Sequence, residues 1–595
     1  MPLIDPSASP LDRARTKAYL RLIPILFACY VIAYVDRTNV SIAKLTMSKD
    51  MPAFNNDVIG TGAGIFFLGY FLLEVPGTLL VEMWSARKWI SRIMISWGIV
   101  AALTAFVHHR VGGLTDAIEA IGRAGAVFIR YVKWPLPVLI PAALGLTALF
   151  AFLHFGLAKK RNEEAAEPGA DRDRLTRLGF KVALAVALLS LFFKLAPDLD
   201  AIEGEEAPFV FQFFAIRFLL GLAEAGFFPG VIVYLTHWFP ARDRTKALAW
   251  FLIATPIAQM ISPKICNLML RIGSIECLTK APDGSVLSNF LPLGSAVPEI
   301  IAKNPVISSV VHPPVGGLLG WQWIYIAWGI PAVILGFIVL MFLTDRPGQA
   351  RWLADDEREA LENELAAEKA RARAKGHMSL AEALGNPKVL LLCAAYFFIV
   401  TGNYGIEIFL PSILEKWYNP GYDLLTWILM LPPLGSLAGQ LFIGWNSDRT
   451  KERRLHAAVP ILMGAIALGV TVVARWGDRS LLPLSAMVLV FTVAATGLKA
   501  YLPAFWSLPS LFLTEAAAAG SIGLINSVGN LGGYVGPKVL GYVETQTGSF
   551  KYGILFLSIS MCCSAAIILL LGLGKKDPAA GGGGKPLAEP VSELA

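Results

Sequence analysis

The feature that most constrains this chain is a series of long apolar stretches. A helix needs roughly 20 mainly apolar residues to cross the hydrocarbon core of a bilayer, where no backbone N–H or C=O can be left unpaired. Windows of that length fall near residues 20–41, 60–82, 90–108, 134–157, 179–197, 208–236, 247–270, 323–344, 388–412, 424–445, 457–475, 482–510, 518–542 and 552–574. The chain is therefore expected to be an all-α polytopic membrane protein with about fourteen transmembrane helices and the lipid bilayer as a partner. Pro503 and Pro509 are expected to kink or shorten the 482–510 stretch. Of 595 residues, 55% are hydrophobic and 16% charged, against ~25% charged in soluble domains, which excludes an ordinary water-soluble fold. No small-residue cleavage site follows the first stretch, so it reads as a membrane helix and not as a removed signal.

The net charge of +7 is modest for this length and forms no concentrated basic face, so no nucleic-acid partner is expected. Position matters more than total. Lys and Arg cluster in the N-terminal lead, at Arg87, Lys88 and Arg92, at Lys159 to Arg161, at Arg242, Arg244 and Lys246, between Arg346 and Lys375, at Arg449 to Arg454, and at Lys575 and Lys576. If every stretch crosses, all these clusters share one face, which the positive-inside rule makes cytoplasmic, with both termini. The chain then divides into a cytoplasmic lead (1–19), an N-terminal membrane half (20–344) and a cytoplasmic linker (345–387) that is charged from Asp355 to Arg373. A C-terminal membrane half (388–574) and a disordered tail (575–595) follow. Residues 271–320, scattered with Pro, Gly and Ser, form a long external loop. The six cysteines show no metal spacing, and a pairing of Cys266 with Cys277 stays open.

Ionisable residues at membrane depth cost several kcal/mol and are kept mainly where they pair or line a polar cavity. The first stretch holds Asp36 and Arg37, and the 208–236 stretch holds Arg217 and Glu224. Seven residues return to nearly the same face of a helix about 10 Å along its axis, so Arg217 and Glu224 address one cavity. Gly221, Gly226 and Gly230 beside them would let another helix approach closely. One reading is an anion site, Arg37 and Arg217, beside two carboxylates that exchange protons, Asp36 and Glu224. The other is two interhelical ion pairs that merely neutralise each other. Lys499, deep in an apolar stretch, is a candidate third cation for a dianionic substrate, or else it snorkels or pairs. Glu407 reads as a gate or rim residue near the outer end of its helix, Glu74 before Pro76 as structural, and His237 with Trp238 as an interfacial anchor.

These residues sit in motifs that carry a resemblance. The stretches Tyr34–Asn39 (YVDRTN), Gly69–Gly77 (GYFLLEVPG), Arg217–Pro240, Gly320–Pro331, Asp345–Pro347 with Ala350–Leu353, and Leu524–Pro537 resemble the anion:cation symporter family of the major facilitator superfamily. The resemblance runs through nearly the whole chain except residues 109–207 and much of 271–316. It implies two six-helix halves, a site at the midplane between them, and rocker-type alternating access. It also implies that Asp36 and Glu224 couple protons and that Arg37 and Arg217 face the substrate. Tyr34, Tyr70, Gln259, Tyr404, Trp506 and Asn526 fall at cavity-facing places of the same pattern. Gly444–Arg454 (GWNSDRTKERR) resembles the superfamily's cytoplasmic gating loop, with Asp448, Arg449 and Arg453 as gating residues. Its first-half counterpart, Gly77 to Arg87, is degenerate, with Glu82-Met-Trp-Ser at its core.

Where the family joins its third and fourth helices by a short loop, residues 109–207 intervene here and include two apolar runs, Trp134 to Leu157 and Leu178 to Leu195. They are expected to form a peripheral two-helix hairpin that faces lipid or makes an oligomer contact, the protein being otherwise a monomer. No phosphate loop is present, since Gly581 to Lys585 is followed by Pro586, and no nucleophile elbow or zincin helix is found. The expectation is therefore not an enzyme and needs no cofactor or metal. It is a symporter that takes up a small organic anion (a sugar acid, hydroxy-dicarboxylate or aromatic carboxylate) with a coupling cation, the proton, across a bacterial inner membrane. A substrate sensor that keeps a transporter fold is the alternative reading.

Overall fold

The computed structural model describes residues 7–83, 85–107, 206–280, 286–293, 306–374, 386–475, 481–511 and 515–572. It divides into two compact units, Met1–Phe106 with Ile216–Ala595, and Val107–Ala215. Nearly all of the second unit, including both apolar runs of the expected hairpin, lies outside the described residues, as does the 575–595 tail.

In the first half of the chain, α1 (Pro10–Thr38) starts on a Ser9 cap, whose Oγ accepts from the Asp12 N–H at 3.2 Å. It runs with only a break at Asn39 into α2 (Val40–Asp50). Then come α3 (Asn56–Met83), α4 (Ala86–Leu103), α5 (Ala207–Glu224), α6 (Phe227–Trp238), α7 (Ala241–Leu252), α8 (Ala254–Leu270) and, after a small sheet, α9 (Gly320–Phe342). The linker carries α10 (Asp355–Ala374). The second half is α11 (Pro387–Tyr418), α12 (Tyr422–Ile428), α13 (Leu431–Thr450), α14 (Arg454–Ala474), α15 (Leu484–Ala500), α16 (Leu502–Ser507), α17 (Glu515–Asn530), α18 (Gly532–Thr547) and α19 (Lys551–Leu570).

Among the described residues, 11 stretches are long and apolar enough to cross a membrane, the first extending over Pro10–Asp50. Several of them are two helices joined by a break. α5 gives way to α6 at Gly226, whose φ of 83° is the left-handed conformation that glycine adopts without a Cβ clash. α15 gives way to α16 at Tyr501. Outward faces are apolar at helical spacing, as with Ile330, Ile334, Phe337 and Met341 on α9, each half exposed or more, which is the surface a lipid-facing helix presents. Between helices, contact is close where side chains are missing. A Cβ on Gly221 would collide with the Phe66 carbonyl, and one on Gly69 with the Phe218 carbonyl, so α3 and α5 cross almost backbone to backbone.

The two ends of the bundle differ. At the linker end, α10 is tied to α1: the buried Glu357 takes Lys17 Nζ at 2.6 Å and Arg13 Nε at 3.2 Å, while Arg13 reaches Asp356 at 2.5 Å. Arg244 on α7 pairs with Glu368 on α10 at 2.7 Å. At the other end, the long loop holds structure that its Pro, Gly and Ser content hid. β1 (Ser274–Lys280) lies between β2 (Val286–Pro292) and β3 (Val306–His312) in an antiparallel sheet of order β2-β1-β3. Cys277 on β1 and Cys266 on α8 are both free and buried.

The halves are joined at this sheet end. Lys538 on α18 pairs with Asp57 on α3 at 2.5 Å, Lys49 on α2 with Glu415 on α11 at 3.3 Å, and Asn267 Nδ2 donates to Asp423 at 2.7 Å. Asn56 donates to Glu544, and a Cβ on Gly60 would collide with the Pro537 carbonyl. The Phe290 ring on β2 lies 5.8 Å from Tyr422 on α12, so the sheet rests on this seam. The sheet end is closed.

Candidate functional site

The breaks in the helices place the charges. Arg37 is the second-last residue of α1, Glu224 the last of α5, and Lys499 the second-last of α15. A cation in the last turn of a helix is favoured by the unpaired carbonyls there. Glu224 stands in the opposite, unfavourable position and is compensated by Arg37, whose Nη2 donates to it. Glu224 is fully buried. The other arm of the Arg37 fork donates to the Tyr404 hydroxyl on α11 at 3.2 Å, so this one guanidinium bridges the two halves. Phe66, Tyr70 and Tyr34 surround it at 5.3, 5.5 and 6.0 Å from ring centroid to Cζ, a cation–π cage that holds the charge without neutralising it.

Asp36 points elsewhere, because consecutive helical residues are about 100° apart. It is 1% exposed and accepts from Asn39 Nδ2 at 2.9 Å. Arg217, equally buried, reaches only the Gly62 carbonyl, at 3.4 Å, and is held electrostatically among Tyr325, Asp36 and Glu224. Asp36 and Glu224 are thus both within electrostatic reach of Arg217.

A second cluster lies across the seam. Glu407 on α11, which reads from sequence as a rim residue, accepts from the Tyr34 hydroxyl at 3.0 Å, from Asn403 at 3.1 Å and from Gln259 on α8. Lys499 donates to the Tyr34 hydroxyl at 2.9 Å and stands 3.6 Å from Glu407. Gln259, Asn403, Glu407 and Lys499 line a cavity of about 90 Å³ between the halves, together with Ile42, Leu410, Pro432 and Leu498. Around the centre Arg37, Arg217 and Lys499 thus stand among Asp36, Glu224 and Glu407, with the buried Glu74 also within electrostatic reach of Arg37.

Asn526 donates to Glu74, giving that glutamate a partner across the halves. Trp506 packs on Tyr396 at 5.0 Å and on Phe505 at 5.4 Å, and Tyr396 is within electrostatic reach of Arg37 and Tyr404. Asp448 pairs with Arg453 at 2.7 Å, and Arg453 also donates to Ser447; Arg449 lies over Trp445 at 5.4 Å. At the degenerate first-half loop, Asp345 from the other end of that half accepts from the Arg87 N–H at 2.8 Å and from Ser85 at 2.7 Å. That caps α4, a role for the Asp345–Pro347 motif that needs the fold to be seen.

The sequence profile described as Major Facilitator Superfamily matches residues 171–276 and 306–537, and so takes in part of the 109–207 segment read as an insertion. The "Putative tartrate transporter" of Agrobacterium vitis is 31% identical over 94% of this chain and 94% of its own length. The quinolone resistance transporter of Acinetobacter baumannii is 30% identical over 92% of each. Among solved structures, the xylose transporter XylE of E. coli in a partially occluded, inward-open conformation superposes with a TM-score of 0.54 at 12% identity, covering 93% of this chain and 98% of that one. The helical halves, the charged seam between them and these relatives together place the chain: it is a multi-pass membrane protein belonging to the Major Facilitator Superfamily of transporters.

Proposed function

We propose that this protein is a proton-coupled symporter that takes up a small organic anion by alternating access, in a bacterial inner membrane, with the linker end cytoplasmic. The observation that carries this reading is that Arg37, the cation best placed between the halves, is already held by Glu224. Arg37 is matched by Glu224 and Lys499 by Glu407, and adding an anion to buried, matched charges is costly. A proton on a carboxylate removes that cost. Protonated Glu224 releases the Arg37 fork to the substrate carboxylate, and Asp36 beside Arg217 supplies a second protonatable group.

Membrane electrostatics point the same way. Driving one negative charge into a negative-inside cell costs about 2.3 kcal/mol per 100 mV, so an anion needs a cation with it. One proton makes a monoanion electroneutral, and a second lets the potential drive uptake. The tartrate named for the Agrobacterium vitis relative supports a hydroxy-dicarboxylate within the organic-anion class. In this reading twelve helices form the two halves, and the 109–207 segment adds a peripheral hairpin.

The test is uptake of radiolabelled organic acids by proteoliposomes under an inward pH gradient, with and without a protonophore. Accumulation is expected to vanish when the gradient collapses. Glu224→Gln is expected to abolish accumulation while leaving substrate binding or exchange; wild-type accumulation by this variant would remove Glu224 from coupling.

A further inference from the structure

Lys499 and Glu407 remain unused by the mechanism above. Both are at most a sixth exposed, on two helices of the second half, and both meet the Tyr34 hydroxyl of the first half, where Glu407 also meets Gln259. Lys499 Nζ lies 5.3 Å from the Tyr34 ring centroid and 5.9 Å from that of Tyr404. Arg37 lies 6.0 Å from the same Tyr34 ring and donates to the Tyr404 hydroxyl. Two aromatic side chains thus stand between two cations, each with its own glutamate: Arg37 with Glu224, and Lys499 with Glu407. The units are alike in composition and contributed in the main by opposite halves.

The Lys499 unit also opens into space. Lys499, Glu407, Gln259 and Asn403 line the cavity between the halves, with Ser41 and Ser436 as further hydroxyls on its wall. Glu407 draws on three neutral donors in addition to Lys499. A carboxylate of the substrate placed in that cavity meets the same donors.

We infer that Lys499 and Glu407 form a second substrate subsite, which makes the protein selective for dicarboxylates by offering a cation to each carboxylate, one on either side of Tyr34 and Tyr404. The inference rests on the symport reading and deepens it. Glu407 takes one proton from solution and ceases to hold Lys499, whose ammonium then binds the second carboxylate; no covalent bond changes. The titratable or charged groups around Glu407 are Lys499, Tyr34, Tyr404 and Tyr30, with Arg37 beyond Tyr404. A dicarboxylate therefore brings one more proton with it than a monocarboxylate does.

The experiment compares tartrate with threonate, which has a hydroxymethyl group in place of one carboxylate, as substrates of the full-length protein in proteoliposomes. The Lys499→Gln/Glu407→Gln double variant removes both charges and leaves neither uncompensated. The ratio of kcat/KM for tartrate to that for threonate is expected to fall about 10-fold or more, the size of a lost hydrogen bond to a charged group. Glu407→Gln alone, with Lys499 free, is expected to keep the ratio near that of wild type while removing one proton per tartrate transported. An unchanged ratio in the double variant overturns the inference, and so does a Glu407→Gln variant that loses both acids equally, which marks a structural pair. Wild-type transport of threonate but not tartrate overturns the dicarboxylate subsite and leaves proton symport standing. No proton-driven uptake of any organic acid by wild type overturns the symport reading itself, and this inference with it.

Discussion

Arg37 does two jobs with one planar group. Its fork reaches Glu224 on one arm and Tyr404 on the other, a geometry a lysine ammonium on a flexible stem does not reproduce. Arg37→Lys is therefore expected to keep the charge and yet weaken substrate binding about 10- to 100-fold, since hydrogen bonds to charged groups contribute about 1.5–3 kcal/mol. Equilibrium binding of labelled substrate to the purified variant measures this, and unchanged affinity would show that position without orientation suffices. At this scale much was legible in advance. Asp36, Arg37, Arg217 and Glu224 stand out because a charge in an apolar stretch is costly and so has a reason. Lys499 and Glu407 stood out too, but not as partners. Glu407 lies on a different helix, and nothing in its own neighbourhood of sequence marks the Tyr34 hydroxyl and Gln259 amide that meet it. Pairing across the seam is a property of the fold.

Among the elements, the sheet was the least legible. β1 and β3 are seven-residue strands set in a Pro- and Gly-rich loop, too short for their alternation to outweigh that composition. Helical stretches of twenty residues carry far more signal, although their internal breaks at Asn39, Gly226 and Tyr501 left no mark on hydropathy. The sheet also holds a titratable pair at the surface that faces the outside in the proposed orientation. Glu276 on β1 is held below the usual carboxylate range: partial burial pushes its carboxyl up, but hydrogen bonds from His312 on β3 and Ser288 on β2 outweigh it. A depressed carboxyl stabilises the sheet above its ordinary range, near pH 4.5 and higher, and that contribution is lost as pH falls through the folded value. Hydrogen exchange of the β1 amides is thus expected to stay protected from pH 7 to pH 5 and to lose protection only in stronger acid. Glu276→Gln should lower the protection already at pH 7. Protection lost between pH 7 and 5 in wild type would show that another group governs the sheet.

For the whole molecule, closure at the sheet end sets the state described here. On the alternating-access proposal, Asp57 with Lys538, Lys49 with Glu415 and Asn267 with Asp423 must all part before a substrate enters from that end. Cysteines at positions 57 and 538, joined by a short bifunctional reagent, are expected to stop uptake, and a reducible linker should restore it on cleavage. Uptake that continues with the link in place would mean that the halves do not separate along this seam. Of the architecture, the membrane class was readable from hydropathy, because long apolar stretches recur over the full length. Which end stands closed was not, because it depends on contacts between helices far apart in sequence. One feature of the helices bears on attempts to retarget the protein. Arg37, Glu224 and Lys499 each sit within two residues of the point where a helix is interrupted, so on the proposed reading the groups that recognise a cargo lie at the joints about which its walls would turn. Selection for a new cargo at these positions will shift turnover along with affinity, whereas the cavity's apolar wall at Ile42, Leu410 and Leu498 offers places to change preference while leaving the joints alone.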